Sequence, residues 1–453
     1  MAAELATLYE AAHEHERAAD YYLAAAENAV RIFAHHEAAA LARRGLALLR
    51  TLPDMPERAR RELPLQMTLG MQLQVVQGFA TPEAEPIYAR ALALCEQVPQ
   101  DPPLFPVLWG LWLFYKVRSE LEKARERAER LFALAQRAQD PAQLIQARQA
   151  LAVTSLCIGD PAATREHMEQ AIALYDPKRH QGHTFLYGQD PGVACLAFGA
   201  VALWLLGYPD QAVQRSREAV SLGEELCQPS TLALALHFAA MLRQYRREPP
   251  AVQDNAEVST AIANEHRFSF WLGGGLVLRG WAMAEQGERA SGMADLRQGL
   301  ATWKAAACVT YRTYFLALLA EALGRDGRIE EGLDVLAEAL TLMHETGEGL
   351  HGAELYRLQG EFLIRREAGQ DAFAEAETCF HQALALARAQ HAKSLELRAA
   401  VSLARLRQKK GRQTEARPML AECYDWFTEG FDTPDLRDAK TLLEQLSGET
   451  CLR

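Results

Sequence analysis

The sequence predicts an all-α fold, a right-handed superhelical solenoid of about ten helix pairs with a roughly 40-residue period, running as one unit through residues 1–453. Three observations predict it. Positions 207, 247, 287 and 327 are forty residues apart and three of them are glycine; 79, 119 and 159, and again 371 and 411, keep the same step. Each is followed by small residues at fixed helical offsets. No apolar–polar alternation of period two persists between turn residues, which disfavours an α/β fold.

The second helix of each unit is read from LGYPDQAVQRSREAVSLGEEL (206–226). Ala212, Ser216, Ala219 and Leu222 follow Gly207 at offsets five, nine, twelve and fifteen. At 3.6 residues per turn they form one narrow face of small side chains, onto which another helix can close. The same offsets select Thr164, Met168 and Ala171 after Gly159, and Gly292, Leu296 and Gly299 after Gly287. They select Gly332, Leu336 and Ala339 after Gly327, then Ala376, Phe380 and Ala383 after Asp371, and Ala416, Leu420 and Cys423 after Gly411. Weaker copies start at His13, Phe33, Phe79, Ser119 and Arg247. Glycine suits the bend because it takes positive φ without a Cβ clash.

The first helix of each unit ends in a large–small pair seven or eight residues before the bend, as in Leu151-Ala152, Leu319-Ala320 and Leu403-Ala404. Two antiparallel helices joined at a glycine bend, with small residues at their contact, form the tetratricopeptide (TPR) pattern. A step of 40 instead of about 34 implies longer helices. The proline clusters PDMPERARRELP (53–64), VPQDPPLFP (98–106) and REPPAVQ (247–253) read as inter-helix loops. The step from 159 to 207 exceeds the period, and the surplus lies in an insertion loop, DPKRHQGHTFLYGQDPG (176–192). Insertions in solenoids collect on one edge and often carry function.

Composition narrows the function classes. Hydrophobic residues at 49% and charged residues at 24% describe a folded chain, not a disordered one. A net charge of -11 argues against direct nucleic-acid binding, which needs a basic face. The eight cysteines lie far apart without a C-x-x-C pair and read as reduced core residues of a cytoplasmic protein. VACLAFGAVALWLLGY (193–208) is too short for a membrane span and reads as a buried helix; no signal peptide is seen and no membrane partner is expected.

Several segments resemble a known family. FPVLWGLWLFYKVRSEL (105–121), FLYGQDPGVACLAFGAVALWLLGYPDQA (185–212), YFLALLAEALG (314–324), AELYRLQGEFLI (353–364), SLELRAAVSLARL (394–406) and the terminal segment WFTEGFDTPDLRDAKTLLEQL (426–446) look like the C-terminal TPR region of bacterial multidomain signalling proteins. There a class III nucleotide cyclase or other output domain precedes a predicted STAND-type ATPase module. The resemblance implies a sensory or regulatory solenoid. No G-x-x-x-x-G-K-[ST] and no cyclase-like strand pattern occurs in this chain, so neither enzyme is expected within it.

Candidate site residues follow from the repeat. The first helices should line the concave face, with residues two, three, six and ten before each bend pointing inward. That selects Trp109, Lys116, Trp281, Glu285, Glu321, Arg405 and Gln408 as a partner-binding surface. In the insertion loop, Tyr187, Gln189 and Asp190 are candidates for partner contact, Phe185 and Tyr187 for pinning the loop on neighbouring helices. His180 and His183, near Asp176 and Asp190, lack the converging ligand set a metal needs; no metal and no cofactor are expected. Gly273, Gly274, Gly275 and Gly280 read as close helix packing or a helix break, not a nucleotide loop, because no Lys-Ser/Thr follows. RLRQKKGRQTEAR (405–417) reads as a solvated basic helix end. No nucleophile elbow or H-E-x-x-H is present. The expectation is a non-catalytic interaction and regulatory module acting on a protein or peptide partner, or on ATPase or cyclase domains of the same protein. The alternatives are the effector domain of a transcription regulator and a stand-alone peptide-binding adaptor.

Overall fold

The computed structural model describes residues 1–97, 103–180, 182–366 and 369–447, and every regular element among them is a helix. In chain order these are α1 (Ala2–Ala11), α2 (His15–Arg31), α3 (His35–Leu49), α4 (Pro56–Gln77), α5 (Ala84–Gln97), α6 (Leu104–Val117), α7 (Leu121–Ala138) and α8 (Pro141–Ile158). After α9 (Pro161–Leu174) come two short helices of the insertion, α10 (Pro177–His180) and α11 (His183–Tyr187). The repeat resumes with α12 (Pro191–Leu205), α13 (Pro209–Leu226), α14 (Pro229–Tyr245), α15 (Pro249–His266), α16 (Ser269–Glu285) and α17 (Arg289–Ala305). It finishes with α18 (Arg312–Arg325), α19 (Ile329–Thr346), α20 (Gly352–Arg366), α21 (Gln370–Ala389), α22 (Lys393–Lys409), α23 (Gln413–Tyr424) and α24 (Pro434–Leu446).

Antiparallel pairs run from α2/α3 to α22/α23, with α1 before them and α24 after them, so the expected TPR-like solenoid is the observed fold. The bends fall where the glycine register places them. His13, Phe33, Ser119, Gly159, Gly207, Arg247, Gly287, Gly327 and Gly411 all have positive φ. Two expected starts shift: Gly78, not Phe79, takes the positive φ, and Asp371 lies inside α21. A second series of left-handed residues, Cys227, Arg267, Ala307 and Gly347, marks the return bends at the same forty-residue step. The segment 53–64 is not a loop throughout. Pro56 starts α4, where its missing N–H is not needed, and the helix runs on through Pro64. Residues 98–102 of the second proline cluster lie outside the described residues.

The small-residue stripes are the pair contacts. Ala212, Ala219, Leu336, Ala339, Ala416 and Leu420 are fully buried. The packing is tightest between α16 and α17. A Cβ on Gly280 would stand 2.6 Å from the Gly292 carbonyl oxygen, and one on Gly299 would stand 2.7 Å from the Gly273 oxygen. Backbone meets backbone there, so the glycine run is helix packing and α16 is unbroken.

Successive turns of the superhelix stack on one another. Val309 and Thr310 donate their N–H groups to the Val117 carbonyl (2.9 and 3.0 Å), and Gly349 N–H donates to Cys157 O (3.0 Å). Ser269 Oγ donates to Val76 O across 193 residues and Ser394 Oγ to Trp204 O across 190. One superhelical turn therefore takes a little under five repeats. Aromatic side chains fill the stacked part of the axis. Trp109 and Trp112 (ring centroids 4.6 Å apart), Phe198 and Phe238 (4.3 Å) and Phe270 and Trp303 (4.3 Å) belong to one continuous core that extends from α4 to α22. Each such side chain removed from water contributes about 1.5–3 kcal/mol.

The sequence changes where the stacking ends. Two residues before the bend stand Val117, Cys157, Leu205 and Tyr245, all buried beneath the next superhelical turn. The same register then gives Glu285, Arg325, Arg365 and Lys409, of which Glu285 is half-buried and the other three are exposed.

Candidate functional site

The charged half of that register opens a cavity of about 310 Å³ on the concave side, walled by α14, α16, α18, α20, α22 and α24. Helix periodicity puts up to three polar or charged side chains from each wall into it. Arg247 follows α14, α16 supplies Trp281 and Glu285, and α18 supplies Glu321 and Arg325. Arg357, Glu361 and Arg365 come from α20, Arg398, Ser402 and Arg405 from α22, and Asp435 and Asp438 from α24.

Neighbouring helices are cross-linked at the rim. Trp281 Nε1–H donates to Glu321 (3.0 Å), and Arg325 pairs with Glu285 (2.6 Å). Ser402 Oγ donates to Glu361 (2.7 Å), and Arg405 pairs with Asp438 (2.5 Å). Asp435 closes the ring, binding Arg398 (2.7 Å) and Arg247 (3.3 Å), the latter from the preceding superhelical turn. Beneath the rim, Arg357 and Arg398 flank Glu354, and Arg398 also donates to the Tyr245 carbonyl. Burial raises the Glu354 carboxyl, but Arg357 and Arg398 overcome it and hold it at about 2; the Asp435 carboxyl is likewise lowered, burial being outweighed by Arg247 and Arg398. The floor is thus a fully ionised buried network.

A smaller chamber of about 20 Å³ lies below and shares Gln244, Glu321, Leu358 and Arg398 with the main cavity. Its walls include stacked Trp204–Tyr245 and Tyr314–His351 rings (4.6 Å each). Tyr245 OH and His351 Nε2 are 2.6 Å apart, and His351 Nδ1 has no partner among the described residues. Burial lowers the His351 imidazole to about 3, so the ring is neutral. Such a volume holds a single water or the tip of a ligand group.

The expected concave-face residues divide. Trp281, Glu285, Glu321 and Arg405 converge on the cavity. Trp109 and Lys116 do not reach a groove: both are buried in the filled first turn, Lys116 with its ammonium over Tyr311 and Phe198 (5.0 and 5.9 Å). Burial lowers the Lys116 ammonium from its usual value. Gln408 sits half-exposed on α22 and does not line the cavity. Contacts that local spacing does not record make the division: Tyr187 of the insertion covers Trp109, and Tyr311 of the next turn covers Lys116. Arg247, Arg357, Arg365, Arg398, Asp435 and Asp438 were not anticipated; the switch from apolar to charged residues two positions before the bend is the signal that points to this half of the solenoid.

The insertion is internal architecture. Tyr187 is buried edge-on against Trp109 (5.3 Å) and Phe105 (6.2 Å). Asp190 is buried as the N-cap of α12, accepting the N–H groups of Gly192 and Val193 (2.9 and 3.1 Å) and the Tyr175 O–H (3.0 Å). Gln189 is half-buried beside an internal cavity with Lys116 and Phe198. The expected partner contacts of Tyr187 and Asp190 are therefore replaced by packing and capping. The side chains of His183 and Phe185 lie outside the described residues. His180 is buried and stacks on Tyr175 (5.6 Å), its Nδ1 accepting the Asp176 N–H (3.0 Å). Among the described residues no group of three or more potential metal ligands occurs, and no helix is long and apolar enough to cross a membrane. The seven described cysteines are free thiols, and all but Cys227 are buried.

No protein-family profile matches the chain. An uncharacterized protein of Rhizobium meliloti (strain 1021) is 26% identical over 343 residues, which is 75% of this chain and 33% of that protein. The chain thus spans about a third of the length of the curated relative it matches. Among solved structures, a Rap protein complexed with competence and sporulation factor superposes with a TM-score of 0.55 at 14% identity, covering 89% of this chain and 100% of that one. Yeast Tom70 gives a TM-score of 0.39 at 12% identity, with 99% and 95% covered. Aspartyl phosphate phosphatase F of Bacillus subtilis gives 0.44 at 11%, with 78% and 91% covered. At these identities the likeness to the Rap protein is one of fold, that of a TPR-like helical-repeat protein.

Proposed function

We propose that this chain is a non-catalytic interaction and regulatory module, and that it binds a peptide segment of a protein partner in the concave cavity bounded by α14 and α24. The observation that carries this reading is the cavity itself: six consecutive inner-layer helices direct charged and hydrogen-bonding side chains into about 310 Å³ at the place where the superhelix stops filling its own axis. A protein that needed only stability would continue the apolar register of Val117, Cys157 and Leu205. The fold shared with a Rap protein that is complexed with competence and sporulation factor supports a ligand-responsive solenoid. The match to one third of a longer bacterial protein, together with the segments that resemble cyclase- and ATPase-linked repeats, supports a regulatory arm for such domains.

Selection of peptides on the immobilised full chain, followed by titration of the selected peptides against two rim variants, tests the proposal. Arg365→Glu and Arg405→Glu are expected to weaken binding at least tenfold, while Arg43→Glu, at the far end of the solenoid, leaves it unchanged. Peptides whose affinity ignores both rim variants would place the binding surface elsewhere.

A further inference from the structure

Trp281 and Glu285 of α16 and Glu321 of α18 form one corner of the cavity. Glu321 accepts the Trp281 indole N–H (3.0 Å) and has no cationic partner among the described residues. Glu285 holds Arg325 (2.6 Å). Within ion-pair distance the two carboxylates hold one guanidinium between them, and Arg247 and Arg357 act on them from farther away. Of the other arginines on this wall, Arg247 and Arg398 pair with Asp435, Arg357 with Glu354 and Arg405 with Asp438, while Arg365 donates to the Gly324 carbonyl.

The second observation is Gln244, at the end of α14. It is 6% exposed and lines both chambers; its Oε1 accepts the Tyr314 O–H (2.8 Å), and its Nε2 has no partner among the described residues. That amide N–H is open to the chamber and free to donate to a ligand there. Glu321 thus has room for a close cation, and beside it the Gln244 amide can donate to an acceptor. A peptide residue with a basic side chain supplies both, the cation from its tip and the acceptor from its backbone carbonyl. The Trp281 ring beside the two carboxylates adds the attraction of an aromatic face for a desolvated cation.

We infer that the Trp281–Glu285–Glu321 corner receives the guanidinium or ammonium group of a basic side chain in the bound peptide, while Gln244 donates to a carbonyl of the same peptide. The inference rests on the peptide-binding reading above and specifies its charge. It carries a proton linkage. Burial raises the Glu285 carboxyl to about 7, with Arg325 and Arg247 opposing and Glu321 reinforcing. An arriving cation favours the ionised form, and the proton leaves Glu285 for solvent, so affinity rises with pH through neutrality.

The test uses the full chain labelled with ¹⁵N-tryptophan, the Trp281 indole resonance being identified with Trp281→Phe. Nα-acetyl-arginine amide is expected to shift that resonance saturably, about tenfold more tightly at pH 8 than at pH 6, and Nα-acetyl-glutamate amide to leave it in place. Glu321→Gln, and separately Glu285→Gln, is expected to weaken the arginine probe at least tenfold, with unchanged far-ultraviolet circular dichroism. Two single variants keep the test decisive if one of them fails to fold. A shift by the glutamate probe and not the arginine probe overturns the cation assignment and leaves peptide binding standing. Silence from both probes, in a chain whose selected peptides nonetheless respond to Arg405→Glu, overturns the corner alone. Arginine binding that survives both variants also overturns it.

Discussion

Glu429 caps the first turn of α13 through Gln211, from more than two hundred residues away. One carboxylate oxygen accepts the N–H groups of Asp210 and Gln211 (2.9 and 3.0 Å), and the other accepts from the Gln211 side chain (3.0 Å). Asp210 returns the contact by accepting the Gly430 N–H (2.9 Å). Trp426 packs edge-on against Tyr208 in the same place (5.4 Å). The terminal segment is thereby tied to the middle of the solenoid.

Replacing Glu429 with alanine leaves the first N–H groups of α13 without their acceptor. The expected cost is about 1 kcal/mol, read as a lower urea midpoint at constant m-value. Faster amide hydrogen exchange in residues 426–430 should accompany it. Unchanged exchange there would mean that the cap does not hold the segment.

Gly280→Ala tests the backbone contact between α16 and α17. Its Cβ would stand 2.6 Å from a carbonyl oxygen and 2.7 Å from the Leu296 nitrogen, neither of which can rotate away. A loss of roughly 1–3 kcal/mol is expected. A Cβ at Gly182, by contrast, meets nothing within 4 Å, so Gly182→Ala serves as the control. Equal midpoints for the two variants would contradict the packing.

Glu348 couples stability to pH. It is buried between superhelical turns, accepting the Tyr311 N–H (2.8 Å) and the Ser119 O–H (3.4 Å). Burial raises its carboxyl from 4.5 to about 7, against the pull of these bonds and of Lys116. A raised carboxyl means that the folded state binds the proton more tightly than the unfolded one. Its contribution is complete below pH 4.5 and is lost as pH rises through 7, a span worth roughly 3 kcal/mol. Relative to the native chain, Glu348→Gln should therefore gain stability between pH 5 and pH 8, measured by denaturant titration at each pH. A difference that does not vary with pH would show that Glu348 does not titrate in this range.

Asp435 and Arg398 test the ionic floor. Asp435→Ala leaves the Arg398 guanidinium buried with part of its charge uncompensated, and a loss of about 3–5 kcal/mol is expected. Combining it with Arg398→Met removes the orphaned charge and should recover much of that loss in a double-mutant cycle. Strict additivity would mean that the two side chains do not act as a pair.

Local physics made much of the solenoid legible. A bend needs a left-handed residue and a helix contact needs small side chains, and both recur every forty positions. Arg247 and His13 take the bend conformation without being glycine, so the register, more than the residue type, located them. Half of the concave site was legible in the same way, because Trp281, Glu285, Glu321 and Arg405 occupy repeated offsets before the bend.

What the sequence by itself determined is the unit: two helices, their contact faces, their bends and the all-α stacking. What only the tertiary structure decided is how one superhelical turn meets the next. Small rotations between neighbouring pairs add up over nearly five repeats, and no single spacing records their sum. That sum buries Lys116 against Tyr311, brings Asp435 to Arg247, and leaves the charged half of the axis open as a cavity.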